Sequence, residues 1–458
     1  MGEARPNPRV WALALAVGVV LADSSIVVLA LPDIYRDLDT TVFGVTWVLV
    51  SFNLVMALAA VPAAMVARRV GPGRAAAVGL AIFAGAGLAC GLSDNLEALI
   101  VARSIQAIGG ALAVTASLEL LPIAVGSERR ASVVWASAGA TGAALGPALG
   151  GILTQLVSWQ SIFLIQVPVA LIAAAPILAI ARDEMSTRVL EREVSRPTGR
   201  PHLWANVALA MVSAAIAAAL FLLVLLLIEG WLLSPIGAAL VVSVMPLAAL
   251  VGSRIGGWVA DARARAAAGA LLLAGGLGGL ALLPKATVWL TVPPQILIGI
   301  GLSLVLSALT ETALAGRSPQ AIHGGWTISS RHAGVVIGLL ALTPVFTHDI
   351  AVQQKNAINS GTSVILDSPV RPLVKIGLAE KISEHLEAQD GKVPNLGHVF
   401  DPLPEDEGER AEVVEMREEL QDQLNAGATH AFSPSFAIAA LIALLALLPI
   451  GLARRIEL

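Results

Sequence analysis

The chain has little cysteine, few aromatic residues and few charges, and each shortage excludes a class of protein. Of its 458 residues only Cys90 is a cysteine, which excludes a secreted domain built on disulfides. Aromatic residues make up 4% and charged residues 14%, whereas about 25% of a soluble chain is charged. Together with 56% hydrophobic residues, this composition excludes a soluble enzyme of several domains and a disordered chain. It indicates a protein whose main solvent is lipid.

Long apolar runs are abundant instead. A transmembrane helix needs about 20 consecutive, mostly apolar residues to cross the bilayer core. Runs of that kind, which we number span 1 to span 12, lie at residues 10–31, 43–67, 75–92, 96–121, 131–154, 160–181, 205–228, 235–259, 267–284, 288–314, 325–346 and 432–453. The sequence therefore predicts an all-α integral membrane protein.

The distribution of lysine and arginine predicts the orientation of these spans. If the N-terminus faces the cytoplasm, the segments on that side hold seventeen basic residues, whereas the short outer loops hold two, Arg36 and Lys285. Basic residues accumulate on the cytoplasmic side of membrane proteins. We therefore expect a multi-pass protein of the cell (plasma or inner) membrane with both termini in the cytoplasm.

An arginine-rich connection at residues 183–202 divides the spans into six and six. A weak repeat supports a duplication, since Val61–Arg74 and Ser253–Arg265 both run from a helix end into a short basic turn. Two pseudo-symmetric six-helix halves are typical of duplicated transporters. The predicted parts of the chain are an N-terminal half (1–181), a cytoplasmic linker (182–204), spans 7 to 11 (205–346), an acidic outer loop (347–431), and span 12 with a cytoplasmic tail (432–458).

Two ionisable residues lie deep inside the first half. Asp23 is about 20 Å along span 1, and Arg103 is about 10–12 Å below the outer face on span 4, so their depths match. We predict that they are partners and that Asp23 carries protons, because ionisable residues inside spans are usually functional. The alternative is a static ion pair that holds two helices in register.

Small residues dominate one face of span 5. Gly142, Gly146, Gly150 and Gly151 allow close helix approach, and Pro147 removes a backbone hydrogen bond. The alternative to a role in conformational change is ordinary close packing.

These motifs resemble those of the major facilitator superfamily, specifically its drug:proton antiporter branch, which includes 14-span multidrug exporters. The similar segments are Asp23 to Pro32 (DSSIVVLALP), Arg103 to Gln106, Gly142 to Gly151, and Trp159 to Pro168. Val28 and Ala107 depart from the usual asparagine and glycine. The resemblance implies the major facilitator fold and export rather than uptake, but here with twelve spans.

The connection between spans 2 and 3 departs from the pattern of that family. The motif aspartate, which in the family helps to hold the cytoplasmic ends of the two halves together, is Arg68 here, followed by Arg69. The corresponding segment of the second half keeps an acid, Asp261. We therefore consider Arg68, Arg69 and Asp261 as candidates for a gate between the halves.

The second half has its own ionisable residues. Glu311 in span 10 and Arg331 and His332 in span 11 all fall in the cytoplasmic quarter by residue count, which predicts a second buried ion site. For His332, a hydrogen-bonded structural role is the alternative to titration. Glu229, at the end of span 7, is expected to be solvated, and so is Glu119.

The residues that line the substrate cavity are the part of the site that the sequence predicts least clearly. The candidates for its lining are Trp47, Phe52, Asn53, Gln106 and Phe221. The single tyrosine and the scarcity of acids make an apolar or zwitterionic substrate as compatible as a dication. No metal cluster, nucleophile triad or phosphate loop is recognisable, so we expect no enzyme, cofactor or metal and no nucleic-acid binding.

The outer loop is acidic, with 16 acidic and seven basic residues between Thr347 and Ala431. Apolar stripes predict two amphipathic helices, at about 371–388 and about 408–425. The segment is either a cap over the exit, a docking site for an envelope or periplasmic partner, or an inert solvated insertion.

The leading interpretation is proton-coupled export of small lipophilic molecules by alternating access, as in multidrug efflux. One alternative is export of an endogenous lipid or metabolite. An alternative of another class is a non-transporting membrane receptor or scaffold that acts through residues 347–431. The expected partners of an exporter are the lipid bilayer, a small-molecule substrate and protons.

Overall fold

The computed structural model describes residues 8–187, 199–367 and 407–453. Within these ranges, twelve helices are long and apolar enough to cross a membrane. In order they are Pro8–Asp37, Val42–Val70, Pro72–Gly91, Leu96–Val125, Arg130–Leu156, Ser161–Ala179, Leu203–Gly230, Pro235–Gly256, Ala262–Ala281, Val288–Leu314, Gln320–Ile350 and Asn425–Leu452. The predicted all-α architecture of twelve spans is confirmed.

Some of these spans are interrupted helices. Span 6 consists of Ser161–Leu164 and Gln166–Thr187, and span 7 consists of Leu203–Leu225 followed by a π-helical turn at Leu226–Gly230. Span 8 consists of Pro235–Val242 and Val244–Gly256, and the helix of span 12 consists of Glu407–Leu445 and Leu447–Leu452. The helix of span 5 begins earlier than its apolar part and covers Glu128–Leu156.

Short polar side chains start the helices. Asn95 accepts a hydrogen bond from the backbone N–H of Ala98 at 2.8 Å, and Asp261 accepts one from Ala264 at 3.0 Å. Each satisfies a backbone donor that the first helical turn leaves unpaired. Gly126 ends span 4 in the left-handed conformation at φ 72°, which a residue without Cβ adopts at low cost.

The helices of spans 11 and 12 extend past their apolar parts. One helix covers Gln320–Asp367, and Glu407–Leu445 contains the segment 408–425 that was expected to form a helix of its own. Hydropathy marks only the lipid-facing part of a helix, whereas backbone hydrogen bonding continues into polar sequence. The other expected amphipathic helix, 371–388, lies outside the described residues, as do linker residues 188–198.

The two halves repeat the same packing. In the first half, span 3 packs closely on span 4, and a Cβ on Gly109 would lie 2.6 Å from the Gly79 oxygen. In the second half, span 9 packs on span 10 in the same way, and a Cβ on Gly301 would lie 2.6 Å from the Gly269 oxygen. Gly79 and Gly269 occupy the same position of their helices, the eighth, and Gly109 and Gly301 the fourteenth. The pseudo-symmetry predicted from the sequence is therefore visible at single residues.

The halves meet along two pairs of spans. Span 11 packs along span 2, and span 5 packs on the first piece of span 8. We call the end of the bundle with Arg68 and Arg265 the inner end, after the predicted orientation, and the end with Arg36 and Glu229 the outer end.

Candidate functional site

Asp23 and Arg103, which the sequence predicted as partners, are in contact inside the first half. Arg103 Nη1 donates to Asp23 Oδ1 at 2.8 Å and lies 2.6 Å from Oδ2. Both side chains are 0% exposed. The pair therefore joins span 1 to span 4 at a place that the protein itself shields from solvent and lipid.

Span 2 and Gln106 complete the surroundings of the guanidinium. Arg103 Nη1 also donates to Gln106 Oε1 at 2.8 Å, and Nε donates to the Val48 oxygen at 3.2 Å. The Phe52 and Phe163 rings lie 4.3 and 5.5 Å from the guanidinium carbon, within cation–π range.

Two donors in this cluster are buried without a partner among the described residues. They are Nη2 of Arg103 and Nε2 of Gln106. Leaving a buried donor unpaired costs about 1–3 kcal/mol. The cluster therefore has unused hydrogen-bonding capacity beside the carboxylate.

The small-residue face of span 5 lies against span 1 at the level of Asp23. Gly142 packs on Gly18, Gly146 on Ser25, and a Cβ on Gly150 would lie 2.5 Å from the Ile26 oxygen. These glycines allow the backbones to touch, so larger residues would separate span 5 from the span that carries Asp23.

The last glycine of this face contacts the other half. A Cβ on Gly151 would lie 2.6 Å from the Pro235 oxygen in span 8. Pro147 lies inside the same helix, Glu128–Leu156. The predicted conformational motif is thus placed between span 1 on one side and the opposite half on the other.

The expected pairing of Glu311 with Arg331 is wrong. Glu311 bonds Arg265, at the start of span 9, and its side chain is 59% exposed. Span 11 begins at Gln320 rather than residue 325, which places Arg331 about 16 Å from the inner end of its helix, whereas Glu311 is only about 5 Å from its own. The two residues therefore differ in depth and do not form one ion site.

His332 instead connects the two halves. Its Nδ1 lies 2.6 Å from Asn53 Oδ1 in span 2. Asn53 Nδ2 donates to the Leu49 oxygen at 2.8 Å, so Oδ1 is the acceptor and the His332 Nδ1 carries the proton. The His332 ring therefore donates from span 11 to span 2.

Glu229, which we expected to be solvated, is buried at 9% exposure. Tyr35 Oη donates to its Oε2 at 2.8 Å, and Arg36 donates to Oε1 from Nε at 3.1 Å and from Nη2 at 2.6 Å. These bonds join span 1 to span 7 at the outer end. The sequence did not predict this contact. Tyr35, the single tyrosine, and Arg36, one of the two basic residues of the short outer loops, are nevertheless adjacent in the sequence.

The gate candidates at the inner end have other contacts. Arg68 Nε lies 3.6 Å from Glu119 Oε1 within the first half, so Glu119 is not merely solvated either. Asp261 caps the helix Ala262–Ala281 through Ala264. A gate between the halves built from Arg68, Arg69 and Asp261 remains a prediction.

Of the cavity candidates, Asn53, Gln106, Phe52 and Phe221 are buried at 0–1% exposure. Phe52 lies against Arg103, and Phe221 belongs to the apolar core. Trp47 is half-buried at the edge of that core. Of the three aromatic residues that the sequence suggested for the cavity lining, Phe52 alone contacts this polar cluster in the described part of the chain.

Comparisons with known proteins agree with this architecture. The family model of the Major Facilitator Superfamily matches residues 13–343. The chain is 35% identical over 186 residues to the tetracenomycin C resistance and export protein of Streptomyces glaucescens, covering 40% of this chain and 35% of that protein. It is 34% identical over 245 residues to the methylenomycin A resistance protein of Streptomyces coelicolor, covering 52% and 48%. The matches thus span about a third to a half of these relatives.

The fold is also similar to a solved transporter structure. A bacterial homolog of the human lysosomal transporter Spinster, in an inward-facing and unoccupied conformation, aligns over 100% of both chains with a TM-score of 0.58 and 18% identity. From the family match, which covers most of the chain, and the twelve-span architecture, we conclude that this chain belongs to the Major Facilitator Superfamily of membrane transporters.

Proposed function

We propose that the protein exports small, lipophilic molecules from the cytoplasm in exchange for protons, by alternating access between its two halves. The observation that carries the proposal is the fully buried pair of Asp23 and Arg103. Burying two charges costs several kcal/mol per ion before their attraction is counted. An ion pair in this position is therefore expected to serve transport.

Asp23 is the proton carrier in this proposal. In the observed contact the guanidinium of Arg103 neutralises this carboxylate, and in the proposed cycle a proton takes the place of Arg103 when the two side chains separate. Movement of span 1 against span 4 would change that distance. The unpaired donors of Arg103 and Gln106 can hold the water through which a proton arrives.

Export as the direction of transport is supported by the relatives and by span 5. Two similar proteins are named for resistance, one of them also for export. The close packing of span 5 against span 1 and against Pro235 of the other half links the proton site to the interface between the halves. We further propose a location in the plasma or inner membrane with both termini in the cytoplasm.

Substrate-induced proton movement in proteoliposomes tests this proposal. A panel of lipophilic drugs is added to vesicles that contain a pH-sensitive dye, and Asp23→Asn is compared with Asp94→Asn, which alters an exposed carboxylate at the outer end. We expect the coupled signal to disappear only in Asp23→Asn. An unchanged signal in that variant would remove Asp23 from the mechanism.

Export of an endogenous lipid or metabolite is the second candidate. It is favoured by the few aromatic side chains around the polar cluster, where Phe52 and Phe163 are the two described rings that contact Arg103. Lipid and metabolite profiles of a deletion strain, together with its drug susceptibility, separate the two. Accumulation of one cell component without altered drug susceptibility supports the second candidate.

A further inference from the structure

One arginine inside the described spans differs from the others in its surroundings. Five carboxylates of the described spans each contact an arginine, in the pairs Asp23–Arg103, Asp33–Arg36, Glu119–Arg68, Glu229–Arg36 and Glu311–Arg265. Arg331 takes part in none of these pairs and makes no hydrogen bond or ion pair within the described residues. Its charge is therefore not compensated by any described carboxylate.

Arg331 is also well inside the bundle. It lies eleven residues past Gln320, the start of span 11, which corresponds to about 16 Å along the helix. Its side chain is half-buried. An uncompensated cation at such a depth is costly unless it faces the protein interior or a polar cavity.

The contacts of nearby glycines show which way this part of span 11 faces. Gly324, seven residues before Arg331, packs on Leu118 of span 4, in the other half. Gly334 and Gly338, three and seven residues after it, pack on Ala210 and Ala214 of span 7. Residues at these spacings share one helix face. Arg331 therefore lies on the face that meets spans 4 and 7, between the two halves, and not on the lipid face.

The neighbouring polar group lies on the same interface. His332 is bonded to Asn53 of span 2, so both belong to the boundary between the halves. Neither the imidazole of His332 nor the amide of Asn53 can carry a negative charge, so neither compensates Arg331. The site thus combines one guanidinium without a described carboxylate partner with polar neighbours that are not acidic.

A buried arginine with a structural role has a different environment in this protein. Arg317, near the inner end, donates to three backbone oxygens, those of Arg200, Thr312 and Ala315, at 2.9–3.4 Å. Such bonds satisfy the guanidinium inside the protein. Arg331 has no such set of acceptors, so its donors are available to a molecule that enters between the halves.

We propose that Arg331 binds an acidic oxygen of the substrate, such as a carboxylate, enolate or phenolate, at the boundary between the halves. The proposal rests on the transport function proposed above and gives its substrate class: a lipophilic molecule with one anionic group. The planar guanidinium offers two parallel donors to such a group, and the interaction is strongest where water is excluded.

Binding of two xanthene dyes of similar shape and opposite charge tests this inference. The full-length protein is placed in phosphatidylcholine nanodiscs, and binding of anionic fluorescein and cationic rhodamine 123 is measured by fluorescence polarisation. We expect the wild type to prefer fluorescein. Arg331→Gln should lower the affinity for fluorescein by about tenfold or more, the worth of a hydrogen bond to a charged group, and leave rhodamine 123 unaffected.

Two further variants separate recognition from folding. Arg331→Lys keeps the charge and should restore part of the fluorescein affinity, and Arg254→Gln removes an exposed arginine of span 8 and should change nothing. Equal affinity of the wild type for both dyes, absence of fluorescein binding, or equal losses for both dyes in Arg331→Gln would overturn the proposal.

Anionic lipid is the other source of an acidic oxygen. Phosphatidylglycerol added to the nanodiscs should not compete with fluorescein if the site accepts a soluble substrate, and competition would assign it to lipid. The assay uses no proton gradient, so a negative result leaves the coupling test of Asp23 untouched. Conversely, loss of proton coupling would not alter dye preference.

Discussion

Replacing Glu229 with glutamine tests whether the outer ends of the two halves are held together by one buried carboxylate. Glu229 in span 7 accepts hydrogen bonds from Tyr35 and Arg36 in span 1. Glutamine has nearly the same shape but lacks the negative charge. Its carbonyl oxygen still accepts from Tyr35, whereas Arg36 loses its ion pair with Glu229 and keeps the one with Asp33 of its own helix, at 3.4 Å.

The structure bounds the size of the effect. A hydrogen bond to a charged group contributes about 1.5–3 kcal/mol. The Arg36 side chain is 52% exposed, so solvent screening reduces the larger values that apply to fully buried pairs. We therefore expect the ratio of closed to open outer ends to fall by about 10- to 150-fold in Glu229→Gln, since about 1.4 kcal/mol corresponds to a factor of ten.

Distance measurements between spin labels at the outer end report this ratio directly. Asp94, between spans 3 and 4, and Lys285, between spans 9 and 10, are exposed and belong to different halves. Cys90 is fully buried, so labels attach only to cysteines introduced at these two positions. The longer distance should gain population in Glu229→Gln.

Two further variants, Glu97→Gln and Tyr35→Phe, serve as comparisons in this measurement. Glu97→Gln removes an exposed carboxylate near the same end and should leave the distances unchanged. Tyr35→Phe removes one of the bonds to Glu229 and should produce a smaller shift in the same direction. An unchanged distance distribution in Glu229→Gln would refute the reasoning that this carboxylate holds the outer end closed.

Two further changes test the packing around Asp23. Asp23→Leu or Arg103→Leu alone should destabilise the protein by about 3–5 kcal/mol, because each leaves a buried charge unpaired, whereas the double replacement should cost less; thermal unfolding of the purified variants checks the order. Gly150→Ala should destabilise by about 1–3 kcal/mol and lower transport, because its Cβ would lie 2.5 Å from the Ile26 oxygen. Gly85→Ala, which meets open space, should do neither, and equal melting temperatures for the two alanine variants would contradict the close approach of spans 5 and 1.

The sequence predicts the spans and the contact of Asp23 with Arg103 because both depend on depth alone. A helix rises by a fixed distance per residue, so two residues on adjacent helices can be compared by counting from the helix ends. The same count failed for Glu311 and Arg331. Residues 320–324 (QAIHG) are small or polar apart from Ile322, so hydropathy started span 11 at residue 325, and the error placed Arg331 too near the inner end.

Contacts between distant parts of the chain lie beyond such counting. Glu229 is only one residue from the end of its span, where a solvated carboxylate is the common case. Its burial depends on the π-helical turn Leu226–Gly230 and on Tyr35 of a helix almost two hundred residues earlier. Neither appears in local hydropathy or helix propensity, so only the assembled halves reveal the contact.

The inner-end ion pairs explain what the replacement of the family aspartate by Arg68 does. Glu119 and Glu311 are both the twenty-fourth residue of their helices. Glu119 contacts Arg68 in the last turn of span 2, and Glu311 contacts Arg265 in the first turn of span 9. The two carboxylates are thus equivalent under the internal repeat, whereas their arginine partners come from different spans, and each pair lies within one half.

Contacts within a half and contacts between halves therefore have different consequences for alternating access. In the proposed cycle, pairs such as Arg68–Glu119 and Arg265–Glu311 would move as a unit, because both partners belong to the same half. The bonds of Glu229 and of His332 cross between the halves, so they have to break when the respective region opens. Since Arg331 lies beside the second of these crossings, a bound anion would be exposed to solvent by the same separation that breaks the bond between His332 and Asn53. Release of substrate and opening of the interface would then be one event.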